Sequence, residues 1–156
     1  HICEVASRCG RAAASIAADY GVTLLIETHD EWADSSMLRL LLETIDSTSV
    51  GALWDVHHPY RIANETPHHT WLMLGRWIKN THWKDSHGAR NPHDYRLCLM
   101  GEGDIPLRAI YRQLAVGGYD GPFTLEWEKR WVPQLEEPEI ALPQYVQFMK
   151  KLAATT

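Results

Sequence analysis

Four short apolar runs in this 156-residue chain each end on a residue able to bind a divalent metal. They are residues 22–27 (VTLLIE), 50–55 (VGALWD), 77–82 (WIKNTH) and 122–126 (PFTLE). Their last residues are Glu27, Asp55, His82 and Glu126. Three carboxylates and one imidazole make an oxygen-rich ligand set. It suits Mn2+, Mg2+ or Co2+, and Zn2+ is also compatible with it. Carboxylates facing the centre of a sheet are costly unless their charge is compensated. One divalent cation compensates three of them at once, so the four residues read as one constellation.

For the four to meet, the runs must be strands that point the same way. Short apolar runs of this kind read as buried strands, and the stretches between them carry helical spacing. Residues 2–20 place Val5, Cys9, Ala12, Ala13, Ile16, Ala17 and Tyr20 on one face, and Gly21 stops that helix. Asp34, Ser35 or Ser36 can cap a second helix with the stripe Met37, Leu38, Leu41, Leu42 and Ile45. Thr66 followed by Pro67 opens a third, expected to reach about Trp77. Asp104 and Pro106 start a fourth, which ends at Gly117 and Gly118. The last begins near Pro138, and Pro143 inside its pattern predicts a kink or a later start.

The order is α-β-α-β-α-β-α-β-α, an α/β fold of four parallel strands alternating with helices. In such a sheet the carboxyl ends of all strands open on one side, where ligands bind. Side chains alternate along a strand, so Thr23 and Leu25 share the face of Glu27. By the same parity Gly51 and Leu53 go with Asp55, Ile78 and Asn80 with His82, and Thr124 with Glu126. Lys84 shares the parity of His82 and can reach the same rim. Trp54, Trp83 and Trp127 have the opposite parity and are expected between strands and helices. Residues 85–103 form the longest irregular stretch, and a loop that long in a compact domain is usually functional.

Bulk properties narrow the function classes. The length suits a single domain with a real core. A net charge of −5 gives no electrostatic reason to expect nucleic acid or an anionic membrane surface. No apolar stretch approaches the ~20 residues of a spanning helix. Cys3, Cys9 and Cys98 are odd in number and form no CxxC pattern, which suits buried thiols in a reducing, cytoplasmic setting.

Several phrases resemble one family. They are Ile26-Glu27-Thr28-His29, the stretch 54–59 (WDVHHP), Thr81-His82-Trp83-Lys84-Asp85, residues 101–106 (GEGDIP) and residues 118–127 (GYDGPFTLEW). Across essentially all 156 residues the chain resembles the C-terminal half of the sugar phosphate isomerase/epimerase superfamily, the xylose-isomerase-like (β/α)8 TIM barrels. The resemblance implies metal ligands at Glu27, Asp55, His82 and Glu126, with Glu27 and Glu126 doubling as an acid/base pair. It implies substrate contact at His58, three residues after the Asp ligand, and matches Lys84 and Asp85 to the family's His-x-Lys-Asp phrase. Some epimerases hold substrate with an Arg six residues beyond the His ligand. That position is Gly88 here, and Arg90 is the nearby substitute.

The implied reaction is isomerisation or epimerisation of a sugar or sugar-like polyol. A metal polarises a carbonyl, one glutamate removes the neighbouring proton and the other returns one. The same apparatus could instead dehydrate an inosose, and a non-catalytic metal-binding fragment is the alternative from another class. His29 and His57 lie beside proposed ligands, and Arg90, His93 and Arg96 could bind an anionic group. Trp32 is the candidate for a sugar-stacking wall. A full barrel of this kind has eight strands in ~250 residues. The reading of four strands therefore carries the expectation that residues 1–156 are one partial domain lacking its N-terminal half. Exposed sheet edges would then favour pairing into a homo-oligomer.

Overall fold

The computed structural model describes residues 2–155. In chain order it contains α1 (Ile2–Asp19), β1 (Leu24–Glu27), α2 (Ser35–Ile45), β2 (Val50–Asp55), α3 (His58–Arg61) and α4 (Pro67–Leu74). These are followed by β3 (Ile78–Trp83), β4 (Asp85–His87), β5 (Arg96–Cys98), α5 (Leu107–Val116), β6 (Phe123–Leu125) and α6 (Pro138–Ala154). Single 3-10 turns at Asp30–Trp32 and Gly75–Trp77 lead into α2 and β3.

The main sheet runs β1-β2-β3-β6, and every neighbouring pair in it is parallel. This is the expected α/β architecture of four parallel strands alternating with helices. Local chemistry sets the helix starts. The Asp34 carboxylate accepts from the backbone N–H of Ser36 and Met37 at the head of α2, and Thr66 accepts from His69 N at the head of α4. Pro67 occupies the first turn of α4, where its missing N–H costs no bond.

The helix-facing side of the sheet is the core. Ala52, Trp54 and Trp83 are buried there with Leu38, Leu41, Leu42, Leu74, Ile110 and Leu114. The Trp83 indole donates to Thr81 Oγ1 at 2.8 Å, so its one polar group is satisfied inside. On the other side Leu25, Leu53, Asn80 and Thr124 are only half-buried. Thr124 Oγ1 donates to Asn80 Oδ1 across that face.

Several expectations are corrected. Ile78 does not share the face of His82. Ala52 pairs with Ile78 but Leu53 pairs with Asn80, so Lys79 is an extra residue. This bulge breaks the alternation, turns Ile78 into the core and leaves Lys79 exposed. Trp127 is half-buried, not packed within the core, and its indole donates to Glu136 O. Trp32 packs against the core as a partly buried residue. The stretch 85–103 is not wholly irregular, because β4 and β5 pair as an antiparallel hairpin within it. A one-turn helix, α3, also stands between β2 and α4. α6 passes through Pro143 without a later start. Pro143 and Glu139, whose carbonyl loses its helical partner, are both exposed, so water can take the freed acceptor. Of the three free cysteines, Cys9 is exposed and Cys3 and Cys98 are half-buried.

Trp83 joins strand, helix layer and the β6 ring Phe123, whose centroid lies 5.6 Å away. Trp83→Ala is expected to lower unfolding free energy by roughly 3–5 kcal/mol, the range for emptying a large buried aromatic site. Equilibrium urea unfolding measures it, and a loss below about 1 kcal/mol would contradict this packing.

Candidate metal centre

The parallel sheet delivers the four expected residues to one place. Glu27 ends β1, Asp55 ends β2, His82 lies one residue before the end of β3, and Glu126 directly follows β6. One ligand atom from each lies within 4.8 Å of the ligand atoms of the other three. The register explains the convergence. Asp55 pairs directly with His82, and Leu53, two residues earlier, pairs with Glu27.

The strand ends are fastened to each other. Thr28 Oγ1 accepts from Asp55 N at 2.9 Å and donates to Asp55 O, tying the end of β1 to that of β2. The two oxygens of the Asp55 carboxylate divide their tasks. Oδ1 accepts from the backbone N–H of His57 at 2.7 Å and of His58 at 3.2 Å, and so holds the turn into α3. Oδ2 is buried and has no hydrogen-bond partner. The Lys84 ammonium lies 2.9 Å from Oδ2, an ionic contact without hydrogen-bond alignment.

Charge around the quartet is tightly interlocked. His82 Nδ1 lies 2.8 Å from Glu27 Oε1 and 3.7 Å from Glu126 Oε2. That contact with Glu27 holds the His82 imidazole above its ordinary pKa and the Glu27 carboxyl below its own. Burial pushes Glu126 up, Lys84 pulls it down and Asp55 adds to burial, with a net rise. Lys84, 2% exposed, bridges Glu126 Oε2 at 2.7 Å and Glu128 Oε1 at 2.9 Å as well as Asp55. Burial works against its charge, but the surrounding carboxylates outweigh it and raise its pKa.

The remaining expected residues are placed as follows. His58 is buried beside the quartet, its Nδ1 3.5 Å from Asp55 Oδ2 and without a hydrogen bond. Asp85 is buried too, but its carboxylate accepts from the backbone N–H of Ser86, Gly101, Gly103 and Ile105. It therefore organises the 101–106 turn, and it is not brought into the quartet. Gly103 leaves that carboxylate its room, because a Cβ there would sit 2.2 Å from Asp85 Oδ1. Arg90 is exposed on the hairpin loop, with no ion pair or hydrogen bond among the described residues.

Besides His57, the residues gathered around the site include several that the sequence does not single out. Glu128 shares the parity of Glu126, which was a usable signal, and it grips Lys84. Arg61 donates to Ser86 O and Ser86 Oγ and pairs with Asp104, while His57 Nε2 meets the same Ser86 Oγ at 2.8 Å. Tyr95 lies edge-on to His57, with ring centroids 4.4 Å apart. These contacts join residues far apart in the chain and have no local sequence signature.

Two outcomes follow from this charge arrangement. Lys84→Met is expected to destabilise the metal-free protein by roughly 3–5 kcal/mol, because it leaves buried carboxylates uncompensated. Chemical denaturation tests this, and an unchanged midpoint would contradict it. Burial also depresses His57 to about 2 and His58 to about 4, from an ordinary value near 6.5. Both are neutral when folded and become protonated on unfolding in mild acid. Their stabilising contribution is complete above about pH 6.5 and is lost as pH falls below it. At pH 5, stability should drop by about 1.4 kcal/mol per pH unit for each histidine. His57→Gln should remove one such share of the slope, and equal slopes would contradict the assignment.

Comparison with known proteins bears on the family and the fold. A sequence model of the family described as xylose isomerase-like TIM barrel matches residues 3–152. The curated Escherichia coli (strain K12) protein YihM, itself uncharacterised, is 25% identical over 147 residues, which cover 81% of this chain and 44% of YihM. The crystal structure of a xylose isomerase domain protein from Planctomyces limnophilus superposes with a TM-score of 0.79 at 22% identity, covering 94% of this chain and 52% of that one. The D-allulose 3-epimerase of Methylomonas sp. superposes at 0.76 with 15% identity, covering 94% and 54% respectively. The chain thus spans about half the length of these relatives. With the match running almost from end to end and the parallel sheet carrying its acidic and histidine residues to one rim, the chain belongs to the xylose isomerase-like TIM barrel family.

Proposed function

We propose that Glu27, Asp55, His82 and Glu126 hold one divalent cation. On this reading the protein is a metal-dependent isomerase or epimerase acting on a sugar or sugar-like polyol. The observation that carries the reading is the convergence of the four ligand atoms within 4.8 Å, one of the contributing carboxylates offering a buried oxygen with no hydrogen bond. That oxygen has only the ionic contact with Lys84, and a cation would supply the directional partner it lacks. The mostly oxygen donor set favours Mn2+, Mg2+ or Co2+ over Zn2+.

When bound, such an ion would polarise a substrate carbonyl and ease loss of the proton beside it. The protein's own groups divide the proton transfer. Glu27 and Glu126 close the site from the two outer strands of the sheet, β1 and β6, and one carboxylate is placed to take a proton while the other returns one. His58 offers an Nδ1 without a protein hydrogen bond to a substrate hydroxyl. Lys84 restrains Asp55 and Glu126 and keeps positive charge beside the reacting region. Among the described residues Arg90 has no ion-pair or hydrogen-bond partner, and it is placed to reach a substrate from the hairpin loop. Asp85 supports the substrate side indirectly, through the backbone of the 101–106 turn. A dehydratase would use the same residues, and product mass separates the two outcomes because only dehydration loses water.

Calorimetric titration of Mn2+ into the intact protein is expected to show one site. His82→Ala and Glu126→Gln should each weaken it by at least ~100-fold, about 2.7 kcal/mol. Absence of binding in the parent protein, or affinity unaffected by both substitutions, would contradict the proposal.

A further inference from the structure

The quartet does not stand alone at the rim. A cavity of about 540 Å3 opens beside it, lined by His29, Asp30, Glu31, His58, His93 and Tyr95 among others. That volume lies in the range of small-molecule sites. Four aromatic rings run continuously along this region. His29 meets His58 edge-on at 4.4 Å, His58 meets His57 at 5.2 Å, and His57 meets Tyr95 at 4.4 Å. His58, 5% exposed, lines this space and at the same time sets its Nδ1 3.5 Å from Asp55 Oδ2, so it links the cavity to the quartet.

Tyr95 reaches the cavity from the residue just before β5. Its position is firmly built. β4 and β5 pair through Asp85–Cys98, Ser86–Leu97 and His87–Arg96. Arg61 donates to Ser86 and pairs with Asp104, and Asp104 also accepts from Gly88 N at 2.8 Å. The hairpin is thus fastened both to α3 and to the turn before α5. The Tyr95 phenol is half-buried and lies in the electrostatic field of Lys84, Glu128, Asp55 and Glu126. An aromatic ring held rigidly between the quartet and an open cavity offers an apolar face and a hydroxyl together.

The charges of the cavity favour one class of occupant. Its fixed charges are the acids Asp30 and Glu31. No lysine or arginine is among the described residues that line it; Lys84 is held by three carboxylates and Arg61 by Ser86 and Asp104, while Arg90 and Arg96 are exposed on the hairpin outside its lining. A phosphate group would meet acids here, whereas hydroxyls would meet acceptors and imidazoles.

We infer that Tyr95 is a specificity-determining substrate contact, and that this cavity takes the part of a neutral, non-phosphorylated polyol distal to the metal, stacked on the Tyr95 ring. The inference rests on the metal-dependent reading of the quartet. It replaces Trp32, which packs against the core, as the stacking wall.

The test uses the intact, Mn2+-loaded protein and a panel of neutral ketoses and inososes alongside their phosphorylated counterparts. The neutral compounds are expected to be the better substrates. On the best of them, Tyr95→Ala and Tyr95→Leu should raise KM about tenfold or more, with kcat changed less than about threefold. Tyr95→Phe should recover most of the loss, while Mn2+ affinity and Tm stay at the parent values in Tyr95→Phe and Tyr95→Leu. Tyr95→Leu keeps bulk in the hairpin, so it reports even if the alanine variant folds poorly. Preference for the phosphorylated compounds, or KM within twofold of the parent in both Tyr95→Ala and Tyr95→Leu, would overturn the inference and leave the metal-dependent reading intact. Failure of the parent to bind Mn2+ or turn over any compound would overturn both.

Discussion

The structure depends on compensating negative charge that the sheet itself brings together. Parallel strands carry Glu27, Asp55 and Glu126 to one rim, and Glu128 adds a fourth carboxylate. Like charges at that spacing repel strongly where water is scarce. In the protein alone, the compensation comes from Lys84, buried among Asp55, Glu126 and Glu128, and from His82 between Glu27 and Glu126. A buried lysine offered no carboxylate would be among the least stable groups in the chain. Here lysine and carboxylates are each tolerable because of the other.

That balance also bears on function. A cation entering among the four ligand atoms would reduce the carboxylates' dependence on Lys84 and satisfy Asp55 Oδ2. His82 Nδ1 would exchange its contact with Glu27 Oε1 for the cation, since a metal ligand must give up its proton. The structure around the rim looks built to hold positions while charges change. Thr28 locks two strand ends together, Asp55 Oδ1 is spent on the turn into α3, and Asp85 pins the 101–106 turn. None of these contacts needs to break when the unbonded atoms of the quartet acquire a partner.

Much of this was legible in the sequence because it follows from short-range rules. Apolar runs ending in Glu27, Asp55, His82 and Glu126 mark the strands, and parallel order alone then sends their ends to one rim. Asp34 and Thr66 are self-contained caps, readable from a few neighbouring residues. What escaped depends on register or on distant partners. The extra residue Lys79 turns Ile78 inward, and nothing local in its sequence announces a bulge. The β4–β5 hairpin lies in a stretch whose Gly and Pro content suggests only loop. Arg61, Ser86, Asp104 and Tyr95 become one assembly only after the chain has folded. Asp85 was matched to a family phrase that says nothing about which backbone groups would occupy its oxygens.

The central claim is that the four strand ends form one metal centre. Its most direct measurement is anomalous X-ray scattering from crystals of the intact protein grown with Mn2+. A single strong anomalous peak is expected within bonding distance of Glu27, Asp55, His82 and Glu126. A map with no peak there, and with Lys84 still bridging Asp55 and Glu126 at saturating Mn2+, would contradict it.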